Sequence, residues 1–173
     1  MQLTELQALI RDVPDFPKPG IVFKDITPLL AHPGAMQATA GYMARAIADA
    51  GAEELVGIEA RGFLFGAAIS AISDMPMQIV RKPGKLPYEK VGVDYDLEYG
   101  SDRVEMHTDA IVSGRRYAIV DDLLATGGTA EASKKLIEEQ GGIVVICSFV
   151  IELGFLAGRD RLGSAAIHSL LSY

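Results

Sequence analysis

The chain has 173 residues, 49% of them hydrophobic and 23% charged, with a net charge of −7. That length suits one domain with a sizeable core, and no run approaches the roughly 18 consecutive apolar residues of a membrane span. The acidic balance argues against a general nucleic-acid surface, which needs a basic face.

Taken in chain order, the first residues, MQLTELQALIRDVPDF, lack a basic n-region and an A-x-A site, so no signal peptide is expected. Gly34 to Ala50 has helical spacing, and LVGIE (55 to 59) reads as a strand. Glu59-Ala60-Arg61-Gly62 leaves that strand for a short apolar helix, Phe63 to Ser73, expected to be buried. MQIV (77 to 80) is the next strand, followed by Arg81, Lys82, Lys85 and Lys90. An acidic protein that binds an anion must concentrate its cations locally, and this is such a concentration. Tyr88 to His107 breaks the rhythm: it is polar, and the alternation in VGVDYDLEY and RVEMHT predicts two antiparallel strands joined near Gly100-Ser101-Asp102. Such an excursion is either an exposed hairpin or a mobile flap over a site. YAIVDD (117 to 122) is a strand, Gly127 to Gln140 a helix stopped by Gly141-Gly142, and IVVICSFVIEL (143 to 153) the last predicted strand. Cys147 is the single cysteine; its apolar run makes it a buried structural thiol and fits a reducing, cytoplasmic compartment. Near-continuous Val/Ile strands suit burial on both faces, and the β-α-β rhythm gives the fold class: α/β, a mainly parallel twisted sheet flanked by helices.

Ligands of doubly wound sheets bind beyond the carboxyl ends of the strands. YAIV ends there in Asp121-Asp122, and Leu123 to Gly127 turns into a helix at Gly128. A helix start offers unpaired N–H groups and the positive end of the dipole; Gly127 and Gly128 let an anion reach the backbone, and Thr126 and Thr129 add hydroxyls. The two carboxylates would repel phosphate, and vicinal ribose hydroxyls are their natural partners. No Lys follows the glycines, so this is not a P-loop, and G-x-G-x-x-G is absent. His32, His107 and His168 are far apart in sequence, with no Cys or carboxylate at metal-ligand spacing, and receive no catalytic or metal role. No G-x-S-x-G supports Ser/His/Asp catalysis.

Val120 to Thr129 resembles the phosphoribosyl pyrophosphate signature of the type I phosphoribosyltransferases. The likeness covers nearly the whole chain: DFPKPGIVFKDITPLL (15 to 30), GIEARGFLFG (57 to 66), RKPGKLP (81 to 87), DLEYGSDRVEMH (96 to 107), DDLLATGGT (121 to 129) and IELGFLAGRDRL (151 to 162), nearest to the members that act on adenine.

The resemblance implies a single domain over 1–173 with the type I phosphoribosyltransferase fold, a small N-terminal hood (1–32) and a flexible catalytic flap (86–108). The implied reaction joins adenine to the ribose 5-phosphate donor 5-phosphoribosyl 1-pyrophosphate, giving AMP and pyrophosphate. Asp121, Asp122, Ala125, Thr126, Gly127, Gly128 and Thr129 would hold the ribose 5-phosphate. Ala60, Arg61, Gly62, Arg81, Lys82 and Lys85 would hold pyrophosphate, with a non-proline cis peptide at Ala60-Arg61. Glu98, Tyr99 and Arg61 would be catalytic, Glu98 helping to move the adenine proton under a flap that excludes water. Phe23 and Leu153 would flank adenine while backbone groups of Val22 and Lys24 read its edge; Lys24 stands where the family has Arg. Mg²⁺ would be held by substrate and water rather than a protein cluster, and a homodimer is implied. Rival readings are a transferase for xanthine or another oxopurine, and a donor-sensing regulator, which the acidic charge and the lack of room for a nucleic-acid-binding domain disfavour.

Overall fold

The computed structural model describes residues 1–96 and 101–173, so Glu98 and Tyr99 lie outside the described residues. The chain runs α1 (Leu3–Ala8), β1 (Arg11–Pro14), β2 (Val22–Asp25), α2 (Thr27–Ala31), α3 (Ala35–Asp49), β3 (Glu54–Ile58), α4 (Gly62–Ser73), β4 (Met77–Val80), β5 (Lys90–Asp96), β6 (Ser101–His107), β7 (Arg116–Leu124), α5 (Gly128–Glu139), β8 (Ile143–Glu152) and β9 (Ala166–Ser172). Among the described residues, a five-stranded sheet has the order β4-β3-β7-β8-β9, with every neighbouring pair parallel. This is the α/β class and parallel sheet that the sequence pattern predicts.

Strand alternation sorts the core into two layers. Tyr117 and Ile119 of β7 join Val56, Leu136 and Ile137 on the α5 side. Ala118 and Val120 pack with Leu55, Met43, Phe65 and Ile69 on the α3 and α4 side. Cys147 is fully buried as expected, and burial pushes its thiol up to about 12. In β8 one extra residue is accommodated: Tyr117 pairs with Val144 but Ala118 with Ile146, a bulge that resets which side chains face which layer.

Two expectations change. The helix after β3 is only half-buried: Phe65 and Ile69 are inward, while Leu64 and Ile72 are 44% and 51% exposed, because a helix on one face of a sheet buries one stripe. β9 has no counterpart in the predicted elements. It is reached through two short 3-10 turns, Gly154–Leu156 and Gly158–Arg161, instead of a helix, and His168 and Ser169 interrupt its apolar run.

β5 and β6 pair antiparallel as predicted. Val93, Tyr95, Val104 and Met106 bury one face of this pair in the α5-side layer. Reciprocal backbone hydrogen bonds between Arg81 and Glu105, 2.9 and 2.8 Å, tie it to the end of β4. At the N-terminus β1 and β2 form a separate antiparallel pair in register Arg11↔Asp25, cross-braced by Arg11–Asp25 and Lys24–Asp12 ion pairs of 2.6 Å each.

Candidate active site

The central strands β3 and β7 end side by side and each turns directly into a helix, so two helix starts face one cleft of about 250 Å³. Its lining runs through Glu59, Ala60, Arg61 and Lys82 on one side and residues 121 to 130 on the other. Asp121, Asp122, Ala125, Thr126, Gly127, Gly128 and Thr129 therefore sit together opposite Ala60 and Arg61. No side-chain hydrogen bond caps α5 among the described residues, which leaves its first N–H groups to an anion.

Close backbone packing shapes this loop. Gly127 has φ 83°, and a Cβ there would stand 2.5 Å from the carbonyl oxygen of Gly158. A Cβ on Gly158 would in turn strike the Ala125 carbonyl oxygen and lie 3.1 Å from the Gly127 nitrogen. The phosphate loop thus rests on the backbone of Gly158. On the other side, a Cβ on Gly62 would meet the Val120 carbonyl oxygen at 2.6 Å and Asp121 Oδ1 at 3.0 Å. The start of α4 is thereby seated on the end of β7.

That seating puts Arg61 Nε 2.9 Å from Asp122 Oδ2. Burial raises the pKa of both aspartates. The neighbouring Asp122 charge pushes Asp121 well above the usual carboxylate range, whereas the Arg61 charge pulls Asp122 back. Of the pair, Asp121 is therefore the member driven further toward its protonated form, and Asp122 the one whose charge Arg61 supports.

The non-proline cis peptide lies at Glu59-Ala60, one bond before the Ala60-Arg61 position expected from resemblance. Arg61 already has helical angles, φ −74° and ψ −26°, and the Ala60 carbonyl accepts from the Phe63 N–H at 3.3 Å. The Ala60-Arg61 bond thus belongs to the first turn of α4, which requires trans geometry, and the cis bond falls in the turn between β3 and α4.

Glu59 organises the cations. It accepts from Lys85 Nζ at 2.6 Å, the Lys82 backbone N–H at 2.9 Å and Arg81 Nε at 3.2 Å. Burial works against its charge, but these donors outweigh it and hold its pKa at about 2. Lys82 lines the cleft, while Arg81 and Lys85 are held on Glu59 and are not among its lining residues; Lys90 starts β5 and is likewise not among them. Lys82 Nζ donates to the Tyr95 hydroxyl at 2.8 Å and to Asp102 Oδ2. Tyr95 Oη also lies 3.0 Å from Thr129 Oγ1.

A second, apolar cavity of about 570 Å³ adjoins the cleft, sharing Thr126 and lined by Val22, Lys24, Leu153, Leu156 and Tyr173 among others. Phe23 points to the opposite face of β2: its ring packs edge-on against Phe16, centroids 5.3 Å apart, with the Arg61 guanidinium 5.5 Å above it. The Lys24 ammonium is drawn to Asp12 and lies 4.0 Å over the Tyr173 ring, so its charge is spent within the protein.

Sequence patterning left out the partners that hold these groups: Glu59, Tyr95, Asp102, Gly158 and the Glu152–Arg159 pair. All of them lie inside stretches already singled out, but nothing in those stretches states which partner each one meets. Among the described residues no three His, Cys, Asp or Glu side chains converge as a metal site, and no helix is long and apolar enough to cross a membrane.

A family profile described as a phosphoribosyl transferase domain matches residues 25–161. The adenine phosphoribosyltransferase of Solibacter usitatus is 52% identical over 171 residues, 99% of each chain. The crystal structure of adenine phosphoribosyltransferase from Thermoanaerobacter pseudethanolicus has a TM-score of 0.96 at 48% identity, covering 99% of this chain and 100% of that one. The Saccharomyces cerevisiae enzyme, crystallised with an imino-altritol bisphosphate and adenine, has a TM-score of 0.91 at 37% identity over 97% of each chain.

Proposed function

From the premise that this chain belongs to the phosphoribosyl transferase family, among the adenine phosphoribosyltransferases, we propose that it transfers the 5-phosphoribosyl group of 5-phosphoribosyl 1-pyrophosphate to adenine, giving AMP and pyrophosphate. The observation that carries this reading is the single cleft onto which the starts of α4 and α5 both open, with the Asp121-Asp122 pair between them and an apolar cavity adjoining at Thr126.

In this reading the Ala125 to Thr129 turn holds the 5-phosphate, Asp121 and Asp122 the ribose hydroxyls, and the Ala60 to Gly62 turn with Lys82 the pyrophosphate. Arg81 and Lys85 support that end through Glu59. Adenine lies where cleft and cavity meet, between Phe23 on the Arg61 side and Leu153 on the cavity side, its edge read by the backbone of Val22 and Lys24. Backbone reading suits a lysine here, because the Lys24 ammonium is already engaged by Asp12 and Tyr173.

Bond making is balanced simply. The C1–O bond to pyrophosphate breaks, the C1–N9 bond to adenine forms, and the N9 proton leaves. Charge spreads toward C1 as in glycoside chemistry, and Arg61 and Lys82 offset the charge gained by the leaving group. Glu98, with Tyr99, is assigned to the proton by family resemblance. Mg²⁺ bound with the donor would further offset pyrophosphate charge; a cation carried in by substrate oxygens and water suits a cleft whose lining carboxylates are the Asp121-Asp122 pair and Glu59, the last already engaged by Lys85, Arg81 and the Lys82 N–H. The cytoplasmic setting and the homodimer rest on the resemblance.

The test is AMP formation from the donor with adenine, hypoxanthine, guanine or xanthine, with and without Mg²⁺. Adenine should be strongly preferred, by roughly 10⁴ if its edge is read by hydrogen bonds, and turnover should need the metal. Turnover of xanthine without adenine would reject the assignment.

A further inference from the structure

Lys82 reaches the cleft already paired. Its ammonium donates to Asp102 Oδ2 and, at 2.8 Å, to the Tyr95 hydroxyl, while Tyr95 itself donates to Asp102 Oδ2 at 3.0 Å. Tyr95 is buried and comes from β5, Asp102 from β6, and Lys82 from the segment after β4. Burial opposes the charges on Lys82 and Asp102, yet their mutual hydrogen bonding raises the first pKa and lowers the second, so both are ionised at neutral pH.

Counting protons defines the rest of the network. Lysine can only donate and an ionised carboxylate can only accept. The single Tyr95 proton is therefore committed to Asp102, and its oxygen accepts from Lys82. The remaining contact, 3.0 Å to Thr129 Oγ1, then requires Thr129 to donate to Tyr95. The hydroxyl proton of Thr129, at the start of α5, is consequently committed to Tyr95. One carboxylate thus ties up donors at both ends of the cleft.

We propose that Asp102 is a positioning residue that competes with the donor's pyrophosphate for Lys82, and through Tyr95 keeps Thr129 from donating to the 5-phosphate until the donor displaces it. The proposal rests on the reading of Lys82 as a pyrophosphate ligand. Asp102 lies close enough to occupy the ammonium, but at 30% side-chain exposure, against 34% for Lys82, it is screened enough to be displaced. An anion carrying several charges and oxygens outcompetes one half-screened carboxylate, and the same carboxylate takes Lys82 back as pyrophosphate leaves.

The experiment is calorimetric titration of the full chain with Mg²⁺-pyrophosphate in a double-mutant cycle: wild type, Asp102→Asn, Lys82→Ala and the double variant, each checked for a cooperative melt. Lys82→Ala should weaken binding about tenfold and Asp102→Asn should tighten it about threefold to tenfold, the scale of a charge-assisted hydrogen bond discounted for screening. The double variant should bind like Lys82→Ala, since Asp102 acts through Lys82. If Asp102→Asn binds no more tightly than wild type, or tightens binding equally in the Lys82→Ala background, the competition is overturned and only a general field remains. If Lys82→Ala binds as wild type does, the reading of Lys82 itself fails, and the competition with it. Should Asp102→Asn not fold, Asp102→Ser serves as the second variant. It removes the same carboxylate from Lys82 and should tighten pyrophosphate binding in the same direction; unchanged or weaker binding would count against the proposal.

Discussion

Arg159 grips Glu152 with two hydrogen bonds, Nε to Oε1 at 2.5 Å and Nη2 to Oε2 at 2.6 Å. Glu152 ends β8 immediately before Leu153 of the apolar cavity, and Arg159 directly follows Gly158, on which the phosphate loop rests. One bidentate pair thus closes the segment that serves both the base side and the phosphate side. The Arg159 hydrogen bond outweighs burial and lowers the Glu152 pKa. Glu152→Gln keeps the shape but loses the charge-assisted grip. With Glu152 buried and Arg159 46% exposed, the loss should be about 1–2 kcal/mol of stability. Steady-state kinetics should show KM rising for adenine and for the donor together, with kcat less affected. A KM change confined to one substrate would show that the pair does not join the two sides.

Gly127 combines φ 83° with a Cβ position only 2.5 Å from the Gly158 carbonyl oxygen, so an alanine there faces both a backbone penalty and a backbone collision. Gly163 has φ 63° and nothing within 4 Å of its Cβ position, and it isolates the first term. Gly163→Ala should cost about 1 kcal/mol and leave kinetics alone. Gly127→Ala should cost about 2–3 kcal/mol and lower kcat/KM for the donor by about 10². Equal thermal shifts and equal kinetics for the two variants would remove the collision from the account.

The members of the Asp121-Asp122 pair are biased apart. Burial and the Asp122 charge push Asp121 toward its protonated form, and Arg61 supports the charge on Asp122. An amide imitates a neutral acid better than a carboxylate, so Asp121→Asn should keep kcat/KM within about tenfold of wild type. Asp122→Asn leaves Arg61, 2.9 Å away, without its counter-charge and should lose about 10²–10³. The raised Asp121 pKa also sets a sign for stability. Its contribution is full below the unfolded value of about 3.9 and declines as pH rises through the folded one. Chemical denaturation should therefore find Asp121→Asn more stable than wild type at neutral pH and no more stable near pH 3. A greater loss of activity in Asp121→Asn than in Asp122→Asn would reverse the assignment.

The parts of this site readable from sequence are those contiguous in the chain. DDLLATGGT carries its strand end, carboxylates, glycines and helix start within one stretch, and EARG carries a second helix start. What pattern could not reach is pairing at a distance. Tyr95 meets Thr129 34 residues on, and Lys82 meets Asp102 20 residues on; nothing in a period of 2 or 3.6 encodes either. The same limit explains β9, whose strand character comes from pairing with β8 more than from its own interrupted run. Lys82 and Lys85 read as cations for an anion, but the hold of Glu59 on them could not be read, because it stands more than 20 residues upstream.

Glu59 supplies the pH dependence at the cation cluster. Its side chain is 9% exposed. Burial raises its pKa, but Lys85, the Lys82 amide and Arg81 together bring it to about 2 from an ordinary 4.5. A depressed carboxylate pKa means that the unfolded chain binds the proton first as pH falls. The stability due to Glu59 is therefore complete above about 4.5 and is lost between there and about 2. Because the cluster borders an open cleft, solvent screening reduces this to about 1–2 kcal/mol. Glu59→Gln should show that deficit in urea unfolding at pH 7, and the gap to wild type should close steadily as pH is lowered from 4.5 toward 2. It should also weaken Mg²⁺-pyrophosphate binding at neutral pH, since the Lys82 backbone and Lys85 lose the carboxylate that aligns them. A stability gap that stayed constant across that pH range would mean that Glu59 contributes by shape and not by charge.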